Sequence, residues 1–330
     1  MLPITSRPLL ISGLVLLSAA SIVFASLAGS VAMDLPAWWN ALSHPDSPEG
    51  ALLWQLRLPR ALAAWVVGAM LALSGCLMQV LLRNPLADPY ILGVSGGAAF
   101  AALAGMTIGV AAALIPVLAL LGAFLSILIV FGLARGTGPW SGTRLLLTGV
   151  VTAAGWAALI SLVLATGSDN SLRGMLFWLM GDFSYARLPG WAVAVLLLGL
   201  ALTLGMARSL NVLAMGETTA SLLGESTRKL LWALYGVASL LTAAAVAVAG
   251  TIGFVGLIVP HLVRLASGSD HRVLIPASAL FGGAFLVFSD TVARTILAPR
   301  QLPVGVITAL LGVPLFLVLL NRARIRGPDS

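Results

Sequence analysis

The sequence predicts an all-α integral membrane protein of ten transmembrane helices, with both termini on the cytoplasmic side. Three observations carry that prediction. The 330 residues are 60% hydrophobic and 9% charged, with a mean hydropathy of +1.06, where soluble chains carry about 25% charged residues. Apolar runs of about 20 residues, the length that crosses a bilayer, recur along the whole chain. Arginine and lysine are shared unequally between alternate loops.

The first run, 9–30, follows Arg7 and ends in small residues, as a secretory signal does. It is longer than the usual signal core of about 7–15 residues, so it is assigned as the first span. The others are 58–82, 92–108, 111–133, 145–165, 188–206, 231–249, 252–266, 273–296 and 304–321. The third and eighth are short, and Gly109 leaves almost no loop between the third and fourth. With the N-terminus inside, twelve basic residues fall on the cytoplasmic side, among them Arg83, Arg135, Lys229 and Arg326. Six fall outside: Arg57, Arg60, Arg173, Arg187, Arg294 and Arg300. That bias sets the orientation of a single transmembrane domain, 1–330.

Two outer segments exceed a turn. Residues 31–57 carry Pro36 and the pair Trp38 and Trp39, which suit a membrane interface. Residues 167–189 contain an amphipathic core, 172–180, expected as a small helix at the outer mouth. Between spans, 84–89 reads as a tight turn capped by Asn84 and Asp88. Gly93 and Gly97 read as a close helix contact. Gly250, Gly253 and Gly256 read as another, or as the break before the eighth span, and Pro260 as a kink within it.

Composition also excludes functions. The net charge of +7 forms no basic patch, so nucleic acid is not the expected partner. Cys76 is the single cysteine and lies in an apolar run, so no intrachain disulfide exists. His44, His261 and His271 are scattered, the first and last as loop residues and His261 as a hydrogen-bonding helix residue, so no metal site is expected. Catalytic groups do not cluster, and the chain is not expected to be an enzyme or to hold a cofactor. Of eleven acids only Asp290 lies within a span, with Arg294 one turn on as its local partner. That is no proton or sodium relay, which argues against an ion-coupled secondary transporter. The chain also lacks a phosphate-binding G-x-x-x-x-G-K-[ST] loop.

Residues 207–230 form a polar interruption on the cytoplasmic side. Gly216 precedes Glu217, which places a negative charge at a helix start. Leu222 and Leu223 follow, and Gly224 stops the helix. The segment reads as a handle for another protein or as an ordinary loop between helices.

Four stretches resemble the permease subunits of type II ABC importers for iron–siderophores, heme and vitamin B12. They are RLPRALAAWVVGAMLALSGCLMQVLLRNPLADPYILGVSGGAA at 57–99, FWLMGDFS at 177–184, GETTASLLG at 216–224, and the long run 250–316 that begins GTIGFVGLIVPHLVRLASGSDH. The resemblance implies a bacterial inner-membrane permease that forms a homodimer. Two cytoplasmic ATPase subunits would carry ATP and Mg, and a periplasmic binding protein would deliver the cargo. It implies that Gly216, Glu217, Ala220, Leu223 and Gly224 form the ATPase-coupling helix. It also implies that Arg57, Arg60 and Arg294 dock acidic residues of the binding protein, as guanidinium forks match carboxylates. The residues alone also allow Arg57 and Arg60 to anchor a helix end at the headgroups. Arg173, Phe177, Trp178 and Met180 at the outer mouth suit a flat anionic cargo such as heme, or simply pack their helix. Ferric siderophore and cobalamin are the alternative cargoes.

Overall fold

The computed structural model describes residues 7–29, 33–134, 142–184 and 188–325, and among them no strand occurs. Arg135, Arg187 and Arg326, used above to assign sidedness, lie outside the described residues. So do 30–32 and 185–187, at the edges of the two outer segments.

The chain opens with α1 (Arg7–Leu27). Two short helices follow in the first outer segment, α2 (Leu35–Ser43) and α3 (Pro48–Ala51). Each starts with a side-chain cap and a proline in the first turn. Asp34 accepts from the Ala37 N–H at 2.8 Å, and Ser47 from the Gly50 N–H at 2.9 Å. A π turn, Leu52–Arg57, joins α3 to α4 (Leu58–Leu81), giving one 34-residue helical run from Pro48 to Leu81. A 3₁₀ turn, Pro89–Leu92, leads to α5 (Val94–Thr107). Next come α6 (Ile115–Ala134), α7 (Gly142–Thr166), α8 (Asp169–Leu179) and α9 (Gly190–Gly205). Then come α10 (Ala207–Leu213), α11 (Glu217–Leu222) and α12 (Thr227–Ala249). The chain continues with α13 (Val255–Ser267), α14 (His271–Thr295) and α15 (Val304–Ile325).

A helix lies in each of the ten apolar runs. Among the described residues six are long and apolar enough to cross a membrane: α1, the run ending in α4, α6 with its leading 3₁₀ turn, α7, α12 and α14. The pair α9 and α10, bent by 57°, is a seventh if it counts as one span. The apolar stretches of α5, α13 and α15 are shorter.

α4 is the axis. It packs against α14, α12, α13, α1 and α9, and all of its residues from Val66 to Leu81 are buried. Small residues let the neighbours approach. Gly68 abuts the Gly282 carbonyl of α14, and Gly75 abuts the Gly256 carbonyl of α13 so closely that a Cβ would overlap it. Inside this seam Ser74 Oγ donates to the Ala238 carbonyl of α12 at 2.8 Å and lies 2.7 Å from Thr242 Oγ1, so its hydroxyl is satisfied in the core. α7 is the opposite case. Leu147, Val150, Val151 and Leu162 stand exposed, the surface expected of a helix that faces lipid chains.

The glycines divide between close contacts and breaks. Gly97 does meet α6, against the Gly122 carbonyl, but Gly93 is a left-handed junction (φ 70°) between the 3₁₀ turn and α5. Gly250 (φ 71°) ends α12, while Gly256 makes the contact with α4.

α5 is short because the chain before it turns back into the bundle. Asn84 Oδ1 accepts from the Leu86 N–H and Asp88 Oδ1 from the Tyr90 N–H, so the expected caps form. Pro89 then packs beside Gly256, itself against Leu71, midway along α4. The Ile252 N–H donates to Tyr90 Oη at 2.9 Å. Backbone freed from helix is thereby satisfied inside protein.

Candidate functional site

Charged groups gather at the two ends of the bundle. One end holds the polar segment read as a handle. Gly216 (φ 115°) turns the chain into α11, and Gly224 (φ 84°) ends it. Both angles suit glycine and strain other residues. Glu217, first in α11, pairs with Arg83 at the end of α4. Both side chains are about half exposed, so the pair is screened. Ala220 is fully buried and seats α11 on the bundle rather than presenting a contact. Leu222 is 83% exposed and Leu223 64%, with Met215 just before them at 69%. The exposed large apolar side chains of this segment are therefore Met215, Leu222 and Leu223. Sequence reasoning named Leu222 and Leu223, assigned only Leu223 to the contact and missed Met215, because six helical residues carry too little periodicity to show which side is buried.

Behind α11, α10 is fastened to α14 through Asn211, Asp270 and His271. His271, expected in a loop, is the buried first residue of α14. The Asp270 carboxyl is held below its ordinary pKa, first by the Asn211 hydrogen bond, then by the Arg272 backbone N–H and the Arg7 guanidinium 2.8 Å away, against the opposing effect of burial. His261, expected to be hydrogen-bonded, has its Nδ1 buried without a partner among the described residues.

The other end holds the three arginines assigned to docking. Arg57 is 5% exposed and turns inward, where its Nη1 donates to the carbonyls of Ser26 and Leu27 at 2.9 and 2.8 Å. Arg294 donates to the Ala25 carbonyl. Two arginines thus satisfy three carbonyls that α1 leaves open at its C-terminus, where positive charge also suits the helix dipole. Asp290 is 3% exposed, and its main partner is not Arg294 but Arg60 of α4. Arg60 Nη2 lies 2.8 Å from Oδ1 and its Nε 2.9 Å from Oδ2, a two-pronged fork. Arg294 Nε stands 3.8 Å away. Arg60 Nη1 reaches outward to Gln301 at 2.9 Å, on the loop that also exposes Arg300.

Beside this cluster, α8 forms as expected from its amphipathic pattern. Met175 is its buried anchor. Arg173, exposed, lies 5.8 Å over the Phe177 ring. Phe177 and Trp178 are half-buried, and Met180 is 37% exposed. The chain after α8 is stitched down: the Asp182 N–H donates to the Ala249 carbonyl, and the N–H groups of Val304 and Gly305 donate to the carbonyls of Gly181 and Met180. An apolar groove of about 670 Å³ opens beside Met180, lined by Phe254, Val306, Leu310 and Pro314 among others. The four residues assigned to the cargo path thus run from the middle of α8 to its C-cap, and Met180 borders the groove.

Comparison with known proteins agrees with this architecture. The family model described as the FecCD transport family matches residues 15–322. The uncharacterised ABC transporter permease protein YvrB of Bacillus subtilis is 40% identical over 94% of this chain and 92% of its own. The cobalamin import permease BtuC of Halobacterium salinarum is 44% identical over 85% of this chain and 76% of its own. The hemin transport permease HmuU of Yersinia pestis is 41% identical over 90% of both chains. A solved metal-chelate type ABC transporter in an inward-facing conformation superposes with a TM-score of 0.86 and 32% identity, covering 96% of this chain and 99% of the other. The chain belongs to the FecCD transport family of ABC permeases.

Proposed function

We propose that this chain is the membrane-embedded subunit of an ATP-driven importer in the bacterial inner membrane, with heme as its cargo. The observation that carries the importer reading is the exposure of the apolar side chains Met215, Leu222 and Leu223 on the segment that resembles a coupling helix, in a chain of this family. In this reading ten helices cross the membrane, both termini are cytoplasmic, and two copies surround the path. Two ATPase subunits that bind ATP and Mg press on α11, and the permease itself is not an enzyme. A periplasmic binding protein docks at the opposite end. Arg57 turns inward, so docking falls to the outer edge of Arg60 and to the exposed Arg300.

Heme is supported by the likeness to the hemin permease and by Arg173 above Phe177, a cation beside an aromatic face that suits a porphyrin with propionates. The likeness to the cobalamin permease favours cobalamin as a second reading. The complex, reconstituted with its ATPase and each candidate binding protein, is given heme, ferric siderophore or cobalamin. Heme is expected to stimulate ATP hydrolysis. Stimulation by cobalamin or siderophore alone would overturn the heme assignment. Release of the ATPase from a Glu217→Arg chain during detergent extraction would support the coupling assignment, and its retention would count against it.

A further inference from the structure

α10 follows α9 in sequence but is bent away from it by 57° and lies against α14. Its buried face is Ala207, Leu210 and Leu213. The polar link is Asn211, which uses both ends of its amide on one helix start. Nδ2 donates to Asp270 Oδ1 at 2.9 Å. Oδ1 accepts from the His271 backbone N–H at 2.9 Å and lies 2.7 Å from His271 Nδ1. Asp270 is itself fixed, because its Oδ1 also caps the Arg272 N–H at 3.1 Å and its Oδ2 holds Arg7. A side chain tied at both amide ends fixes orientation as well as position. The α10–α11 segment is closed on itself by Ser209 Oγ donating to Glu225 at 2.9 Å and by the Glu225 N–H donating to the Ala220 carbonyl. Its other side-chain tie, Arg83 to Glu217, is exposed and weak by comparison.

We propose that Asn211 is a positioning residue that latches the α10–α11 segment to the N-terminus of α14, so that α14, and not α9, moves with the segment when it is loaded. The proposal rests on the reading of α11 as the ATPase contact. It adds which part of the bundle receives the load. α14 is 25 residues, about 37 Å, and ends at the Asp290 cluster, so a displacement delivered at Asn211 enters a rod that reaches the other end of the bundle.

The test places nitroxide pairs in the full chain, in lipid nanodiscs, on a Cys76→Ala background. One pair is Thr218→Cys with Arg272→Cys, and the other is Thr218→Cys with Leu204→Cys, all at surface positions. With the ATPase bound, Mg-ATP is expected to shift the Thr218–Leu204 distance and to leave Thr218–Arg272 within its own width. Asn211→Leu is expected to roughly double the width of the Thr218–Arg272 distribution, as local release implies. Asn211→Ser, which stays polar but cannot span both partners, repeats the measurement if the leucine chain fails to assemble. A nucleotide shift in Thr218–Arg272 as large as in Thr218–Leu204, or an unchanged width in both variants, would overturn the latch. If the parent chain retains no ATPase, the reading of α11 fails, while the width measurement, made without ATPase, still decides the latch.

Discussion

At the C-terminal end of α14, Asp290 is buried among guanidinium groups. At its N-terminal end, Asp270 lies part-buried beside an arginine and an asparagine. The first arrangement joins α14 to α4 and the neighbouring Arg294 to α1, all long helices of the bundle. The second joins α14 to a seven-residue helix whose own connection to the bundle is a bend. A buried charge between long helices holds the scaffold. A part-buried amide at a helix start holds one short helix to one neighbour. The difference separates residues whose loss unfolds the protein from residues whose loss disconnects it.

The largest expected effect is at the Asp290 end. Asp290→Ala leaves the part-buried Arg60 and the buried Arg294 without their shared carboxylate, and breaking a buried pair costs about 3–5 kcal/mol. Thermal unfolding in detergent should show a large fall in midpoint or loss of the monodisperse species. A midpoint within a degree or two of the parent would show that these charges are hydrated and would remove the contrast. Next is the exposed face of the other end. Leu222→Asp combined with Leu223→Asp should leave stability within about 0.5 kcal/mol, as surface substitutions do, yet abolish ATPase co-purification. If the ATPase stays bound, α11 is an ordinary connection between helices and not a handle.

Arg83→Ala should cost no more than about 1 kcal/mol, since the pair with Glu217 is solvent-exposed. A larger loss would mean that the exposed tie, and not Asn211, holds the segment. The smallest effect is that of pH. The folded pKa of Asp270 lies below its ordinary value of 3.8, so its contribution is present above that value and is lost only as pH falls through the folded pKa. Hydrogen exchange of α10 amides should keep the same protection between about pH 5 and pH 7 after correction for intrinsic rates. Loss of protection already at the upper end of that window would place the Asp270 titration elsewhere.

The helices were legible because bilayer-length apolar runs need no partner to be recognised. The short helix α11 was legible through Gly216 and Gly224, whose positive φ angles mark its ends. The partner of Asp290 was not. Arg294 stands one turn away in sequence, whereas Arg60 is 230 residues distant and reaches it only through the packing of α4 on α14. The inward turn of Arg57 was hidden for the same reason, since its acceptors are carbonyls at the end of another helix. The helices of 35–51 do carry local signals, Asp34 and Ser47, each followed by a proline in the first helical turn. Those signals are short and are masked by the tryptophan pair between them, which reads equally well as an interfacial anchor.

The glycine seam of α4 carries an evolutionary implication. Because Gly68 and Gly75 touch the backbones of two different helices, an added carbon at either must push a whole neighbour aside. A library of every single replacement should therefore return almost no survivors along this inner spine, while the grease-facing flank of α7 accepts most apolar swaps. Relatives that acquire new cargoes would be expected to diversify around that fixed mast and to leave the mast itself alone.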